Sequence, residues 1–328
     1  MTPNPMPLEK TAAQPHYPVS GWIEAGLYVF AIAVLSLTYV VGHQVGAHPI
    51  AFVLYAMIVS AVALLAVTGP GRDALDVVLA PQSWLVGIGT ITMEIFYYLL
   101  LEHLSPAHGS LLVRLAIPAS LIVGWIVFAR MPPRLAQAGG AVVFAGVVPL
   151  IVVVDAAHRA EVTAVALASA LSFNLRGFSA EFHPWNRRAK TVMEKLRVTG
   201  LVVLVTSIAS LALTGIGSAL VAAGAIPHTG LVPTAAELLH IPTILLGTLV
   251  GGAILTAMAV LSFSSVVKIT TENFTATSAF TPVATLLVQL AASALGLIPS
   301  YALDWSLIPA MVIVISGVFL ILYAARRR

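Results

Sequence analysis

Two ionisable residues lie inside long apolar stretches of this chain, Glu94 within residues 82–103 and Arg114 within residues 106–129. Each lies ten residues from Leu104, the centre of the turn that would join two antiparallel helices. At 1.5 Å per residue, both therefore lie about 15 Å from that turn. Opposite charges at one depth on neighbouring helices predict an ion pair. Such a pair either fastens the helices together or forms part of a ligand site, and both interpretations remain open at this point.

As a ligand site, the pair would recognise complementary charges. Arg114 would hold a carboxylate or another anionic group through parallel donors, and Glu94 would accept a proton or a substrate ammonium group. Polar and aromatic side chains at helical spacing around the pair complete the predicted substrate-binding set. These are Tyr39, Tyr97, Tyr98, Ser110, Asn174, Phe274 and Ser278. The set suits a small amphipathic solute, although each residue taken alone is equally compatible with helix packing.

The elements that position these residues must be membrane-spanning helices. The 328 residues are 59% apolar and only 9% charged, whereas a soluble domain carries about 25% charged residues. A bilayer-spanning helix needs about 20 apolar residues, and continuous apolar runs favour helices over a β-barrel, whose strands alternate. Ten such stretches are predicted, at about 22–42, 48–69, 82–103, 106–129, 134–154, 161–181, 197–222, 241–266, 271–296 and 304–325.

The distribution of lysine and arginine predicts the orientation. With both termini cytoplasmic, thirteen of the sixteen Lys and Arg residues fall on the inner side, while Arg159 lies outside and Arg114 and Arg176 lie within spans. This matches the excess of positive charge on cytoplasmic loops. The expected layout is a disordered cytoplasmic tail (1–21), two five-helix units (22–154 and 155–325) and a basic cytoplasmic C-terminus (326–328).

The two five-helix units share a sequence pattern. Residues 101–127 align without gaps on residues at an offset of 164, which places Pro118 on Pro282. Residues 141–152 align on 312–323, which places Gly146 on Gly317. An odd number of helices per unit makes the units inverted relative to each other, as in many secondary transporters. Proline kinks a helix, so Pro118 and Pro282 are predicted hinges.

These features together resemble the drug/metabolite transporter superfamily, and within it the EamA-type permeases. The resemblance rests on ten spans with both ends inside, on the Ile-Pro and Thr-Pro pairs in spans four and nine, and on the glycines in spans five and ten. It covers roughly residues 22–325 and implies transport of metabolites such as amino acids, nucleotide sugars or organic cations, often outward. The chain departs from the usual pattern in Glu94, Arg114 and the long outer stretch 223–240.

Several other functions are disfavoured by missing motifs. The chain has no cysteine, so thiolate metal sites are excluded. It also lacks a phosphate-cradling loop, HExxH and GxSxG. We therefore expect no enzyme, no cofactor, no metal and no nucleic-acid partner, since the spacing of Glu102, His103 and His108 is unspecific as a metal motif.

The predicted function is secondary-active transport of amino acids or organic anions by alternating access, in the direction of export. The driving force would be a proton gradient or the solute's own gradient. The protein would lie in the cell membrane, as in a bacterial inner membrane, as a monomer or homodimer in the lipid bilayer. The alternative is a membrane-embedded enzyme or lipid-handling protein that uses outer-face histidines, of which the sequence places six at outer ends or loops: His43, His48, His103, His158, His228 and His240.

Overall fold

The computed structural model describes residues 18–227, 230–301 and 304–326, without the side chains of Glu272 and Arg326. Residues 1–17 of the predicted tail, His228 and residues 327–328 of the predicted C-terminus lie outside this part. All regular structure in the described ranges is helical. Nine helices there are long and apolar enough to cross a bilayer. The chain is therefore an all-α, multi-pass membrane protein.

The long helices of the described ranges are numbered in chain order. They are α1 Val19–Gln44, α2 Pro49–Thr68, α3 Pro81–His103, α4 Pro106–Phe128, α5 Arg134–Val153, α6 Arg159–Phe182, α7 Val192–Ala222, α8 Ala235–Thr271, α9 Asn273–Ala294 and α10 Leu307–Arg326. All except α6 belong to the nine apolar helices. Helix α6 is 24 residues long, but its charged residues reduce its apolar character. Two short helices, Ala74–Leu79 and Pro184–Arg188, lie in the connections.

Helices α4, α8 and α9 are interrupted. Helix α4 contains a 3₁₀ turn at Val113–Leu115, and α8 contains a π-helical turn at Val250–Leu255. Such departures from regular α-helix are frequent at functional sites. Helical structure also continues past the predicted end of α8 as the segment Thr256–Ser278, which breaks at Thr270, where φ is 70°. This break at Thr270 lies within the predicted boundary between residues 266 and 271.

The position of Pro282 also differs from the prediction. Pro282 lies in the first turn of the segment Thr281–Ala294 rather than in mid-helix. The first turn tolerates proline because its N–H has no intrahelical acceptor there. Helix α9 is thus interrupted at residues 279–280, immediately before this segment.

Helices from the first five pack mainly against helices from the second five. Helix α3 lies against α6, α1 against α8 and α9, α2 against α7, and α5 against α10. Glycines allow close approach at these crossings. A methyl group on Gly89 of α3 would lie 2.7 Å from the backbone nitrogen of Arg176 on α6, and one on Gly139 of α5 would lie 2.6 Å from the carbonyl oxygen of Gly317 on α10.

Polar contacts join helix ends that the prediction places on one side of the membrane. At the predicted inner side, Arg130 pairs with Glu181 at 2.8 Å, and Lys268 pairs with Glu24. Arg197 on that side donates to the carbonyl of Thr68 at 2.9 Å. At the predicted outer side, His108 likewise contacts Asp304 at 3.0 Å.

Candidate functional site

Glu94 has the most buried of the acidic side chains that the structure describes. Glu94 lies near the middle of α3 and is only 7% exposed. It shares the inward face of that helix with Ile91, Tyr98 and Leu101, which are buried in the apolar core. The hydroxyl of Tyr39 on α1 donates to Glu94 Oε2 at 2.6 Å. This hydrogen bond offsets part of the cost of burying a polar group at membrane depth.

Aromatic rings and a serine surround this hydrogen bond. Tyr39 lies edge-on to Phe52, with centroids 5.6 Å apart, and close to the ring of Tyr97 at 5.8 Å. The hydroxyl of Tyr97 in turn forms a hydrogen bond of 2.6 Å with Ser36 Oγ. Helices α1, α2 and α3 therefore enclose the carboxyl group in a small polar cluster with apolar walls. We call Glu94, Tyr39, Tyr97 and Ser36 the central cluster.

Arg114 lies near Tyr97 of the central cluster. It is half-buried in the 3₁₀ turn of α4, and its Nε is buried and makes no hydrogen bond to any described residue. Its charge acts on the hydroxyls of Tyr97 and Tyr28. The ion pairs found among residues 18–227, 230–301 and 304–326 do not join Arg114 to Glu94, so the predicted ion pair is wrong.

Two local features explain why that pair does not form. A 3₁₀ turn advances roughly 20° more per residue than an α-helix, which changes the direction of the Arg114 side chain. The Tyr39 hydroxyl also occupies one oxygen of the carboxyl group.

Residues toward the inner side extend the polar surface. The ring of Tyr28 on α1 packs against Phe274 on α9, with centroids 4.9 Å apart. Arg176, Glu94 and Arg114 all act electrostatically on the Tyr28 hydroxyl. Arg176 is itself exposed. Sequence reasoning missed Tyr28, although its spacing from Ser36 and Tyr39 places it on the same helical face.

The other predicted binding residues make local or packing contacts. Asn174 is 4% exposed and donates from Nδ2 to the carbonyls of Ala116 at 3.2 Å and Ala170 at 2.8 Å. It therefore links α6 to the residue that follows the 3₁₀ turn of α4. The remaining hydroxyls bond to carbonyls: Tyr98 to Ala47, Ser110 to Ala107 and Ser278 to Thr275.

Two cavities lie at the ends of the helices. One, of about 410 Å³, is lined at the predicted outer side by residues including His103, His108, His158 and Asp304. The other, of about 240 Å³, is lined at the predicted inner side by residues including Arg197. Neither of these two cavities includes Glu94 or Arg114 in its lining. The central cluster is therefore separate from both cavities.

A polar contact joins the two predicted halves at the outer cavity. His108 Nε2 on α4 lies 3.0 Å from Asp304 Oδ2, which precedes α10. Hydrogen bonds from Ser306, and then from His108, hold the pKa of Asp304 below its ordinary value. This carboxylate therefore remains ionised at neutral pH and fixes the outer end of α4 to the loop before α10.

The chain matches no protein-family model and no curated protein. A solved structure described as "Crystal structure of protein" superimposes with a TM-score of 0.57 at 17% sequence identity. The match covers 94% of this chain and 99% of that one. At this identity the likeness concerns the fold alone, and it extends over nearly the whole helical part of the chain.

Proposed function

We propose that this protein is a secondary transporter that carries a small solute across the cell membrane by alternating access. The observation that carries the proposal is the buried central cluster around Glu94. Beside it lies Arg114, whose buried Nε has no hydrogen-bond partner among the described residues. Ionisable side chains at this depth are costly and mark solute or ion pathways in membrane proteins. The family we propose is the drug/metabolite transporter superfamily, with EamA-type architecture.

Equivalent crossings of α5 and α10 support two inverted halves. Under the offset of 171, Gly139 corresponds to Ala310 and Gly146 to Gly317. In the structure, a methyl group on Gly139 would lie 2.6 Å from the oxygen of Gly317, and one on Gly146 would lie 3.3 Å from the oxygen of Ala310. Exchanging the two helices therefore turns one contact into the other, as a two-fold axis between halves requires.

A second crossing follows the offset of 164. Gly87 on α3 corresponds to Gly251 on α8. A methyl group on Gly87 would overlap Thr206 on α7, while one on Gly251 would overlap Ala56 on α2. The third helix of each proposed half thus packs against the second helix of the other half. This pattern favours a rocking movement of two similar units around a site between them.

The interruptions of α4 and α9 support the same relation. The 3₁₀ turn at Val113–Leu115 corresponds, at the same offset, to residues 277–279, next to the break at 279–280. Each interruption precedes one of the two equivalent prolines, Pro118 and Pro282. Interrupted helices at equivalent depths are where transporters bind solutes and where their halves bend.

The chemistry of the site favours a solute with a carboxylate. Arg114 offers five N–H donors in a fixed planar fork, and Glu94 would receive an ammonium group or a proton. Tyr28 and Phe274, which pack on each other, would contact an apolar side chain. An amino acid carries all three features and an organic anion carries two. Export, driven by a proton gradient or by the solute's own gradient, completes the proposal.

Transport by purified protein in proteoliposomes tests this function. We expect counterflow of radiolabelled amino acids or organic anions by the unaltered protein, and at least about tenfold less by Glu94→Gln and Arg114→Ala, because each loses a charge-assisted contact. Glu102→Gln, an exposed carboxylate near the end of the same helix, and Arg187→Ala, in the inner connection, are matched controls. Undiminished transport by both central variants would exclude the central cluster as the solute site.

The outer cavity keeps one alternative open. Its three histidines, His103, His108 and His158, could serve a membrane-embedded enzyme or lipid-handling protein. That function predicts loss of activity when His103 and His108 are replaced and no loss when Arg114 is replaced. The transport proposal predicts the opposite effect at Arg114.

A further inference from the structure

Three side chains with metal-binding atoms converge at the predicted outer end of α3 and α6. His103 is the last residue of α3, while His158 and Glu161 lie at the start of α6. His103 Nε2 lies 3.5 Å and His158 Nδ1 lies 3.9 Å from the same oxygen, Glu161 Oε2. All three donor atoms lie within 4.8 Å of one another. We call these residues the outer triad.

The donors of the outer triad are chemically suited to zinc. Two imidazoles and one carboxylate form a frequent protein ligand set for Zn²⁺. With bond lengths of about 2.0–2.1 Å, tetrahedral coordination places ligand atoms about 3.4 Å apart. The observed separations of 3.5 and 3.9 Å are close to this value. The lone pair of an imidazole lies in its ring plane, so the two stacked rings must turn relative to each other for both nitrogens to point at one ion.

The contacts within the outer triad leave its lone pairs available. The two imidazole rings are stacked, with centroids 4.2 Å apart and planes 18° from parallel. In the part of the chain that the structure describes, none of the side-chain hydrogen bonds joins two members of the triad. The neighbouring cation, Arg159, donates instead to the carbonyls of Val152 and Val154 at 2.8 and 3.0 Å. The carboxylate of Glu161 is therefore not neutralised by this arginine.

The outer triad is also accessible from solvent. The side chains of His158 and Glu161 are 48% and 60% exposed. His103 and His158 line the outer cavity of about 410 Å³. An ion could therefore enter from the outer side and keep its fourth position for water.

We propose that His103, His158 and Glu161 bind one Zn²⁺ ion at the outer ends of α3 and α6. The proposal departs from the sequence-based expectation of no metal, and it uses residues other than the unspecific set Glu102, His103 and His108. Because α3 and α6 belong to different proposed halves, the ion ties those halves together at the outer side. The site stands on its own geometry and does not depend on transport.

Titration calorimetry on the full chain tests the site directly. The purified protein, with any polyhistidine tag removed and metal stripped by a chelator, is titrated with zinc chloride. We expect one ion per chain, and binding at least about tenfold weaker in His103→Ala, His158→Ala and Glu161→Gln, since each removes a ligand. The matched control is His240→Ala, because His240 lies at the same side and bonds to Thr243. Loss of zinc binding in this control, or unchanged binding in all three triad variants, overturns the proposal.

A second measurement replaces one histidine of the outer triad by cysteine, whose thiolate would give its own spectroscopic signal on binding a metal ion. The chain contains no cysteine, and Nδ1 of His158 lies one bond beyond the γ position, so the sulfur in His158→Cys falls near the proposed ion. With Co²⁺ as the probe, we expect tetrahedral cobalt bands in the unaltered protein and an additional thiolate-to-cobalt charge-transfer band in His158→Cys. Absence of the charge-transfer band in a variant that elutes as a single folded species overturns the assignment.

Discussion

A methyl group added at Gly139 tests the helix crossing on which the inverted architecture depends. It would lie 2.6 Å from the oxygen of Gly317, 2.7 Å from Cγ1 of Ile321 and 3.0 Å from the backbone nitrogen of Ile321. A comfortable contact is about 3.5 Å, so α5 and α10 must separate locally by roughly 0.9 Å. Two of these atoms belong to helix backbone and have no rotamer through which they could move away.

The loss of stability expected for Gly139→Ala follows from this overlap. Overpacking in a well-packed interior destabilises by about 1–3 kcal/mol, which corresponds to a fall in unfolding temperature on the order of 2–6 °C. Gly317→Ala should have a similar effect, because its methyl group would lie 2.7 Å from the oxygen of Gly139. In the double variant the two effects should not add, because both substitutions push apart the same crossing.

Thermal unfolding in detergent, followed by tryptophan fluorescence, measures these differences. Gly26→Ala is the matched control: it lies within α1, and a methyl group there meets no atom within 4 Å. Alanine has a higher helix propensity than glycine, so this control should unfold at the same or a higher temperature. Equal unfolding temperatures for Gly139→Ala and Gly26→Ala would show that α5 and α10 do not cross closely at this point.

Two further predictions concern polar contacts. Asn174→Ala leaves the buried carbonyl of Ala116 without its side-chain donor, so we expect a loss of about 1–3 kcal/mol, measured as a lower unfolding temperature. Asp304→Asn removes the ionised partner of His108; because the pKa of Asp304 is lowered in the fold, its contribution is present at neutral pH and lost as pH falls below about 4. The unfolding temperatures of Asp304→Asn and the unaltered protein should therefore differ at pH 7, and the difference should shrink as pH falls from about 5 to about 3; a difference that stays constant over this range would contradict this reasoning.

Most helix positions follow from the sequence because the lipid environment leaves few alternatives. Backbone groups in hydrocarbon must bond within their own segment, so an apolar run of sufficient length is already a helix. The boundary between α8 and α9 is less regular than the others. There the Ser- and Thr-rich stretch 262–278 has little apolar character, yet it remains helical apart from the break at Thr270. That break lies within the predicted gap between residues 266 and 271, and helical structure fills the rest of the gap.

The central cluster was only partly predictable. Burial of Glu94 follows from the apolar residues around it, and Tyr39 follows from the polar face of α1. The partner of Glu94 does not follow, because the direction of Arg114 depends on a 3₁₀ turn that straight-helix geometry cannot anticipate. The role of Asn174 also depends on this turn, since its side chain bonds to Ala116, the residue that follows the turn.

The buried Nε of Arg114, which has no hydrogen-bond partner among the described residues, supports the proposed recognition of an anion. A guanidinium carries five donors, and at membrane depth an unsatisfied charged group costs several kcal/mol. A purely structural arginine would be paired with Glu94, which lies at a similar distance from the same turn but bonds instead to Tyr39. The described residues thus leave an arginine whose buried Nε has no hydrogen-bond acceptor. Under the proposed function, a carboxylate supplied by the solute would provide that acceptor, and its departure would restore the cost of the unsatisfied Nε.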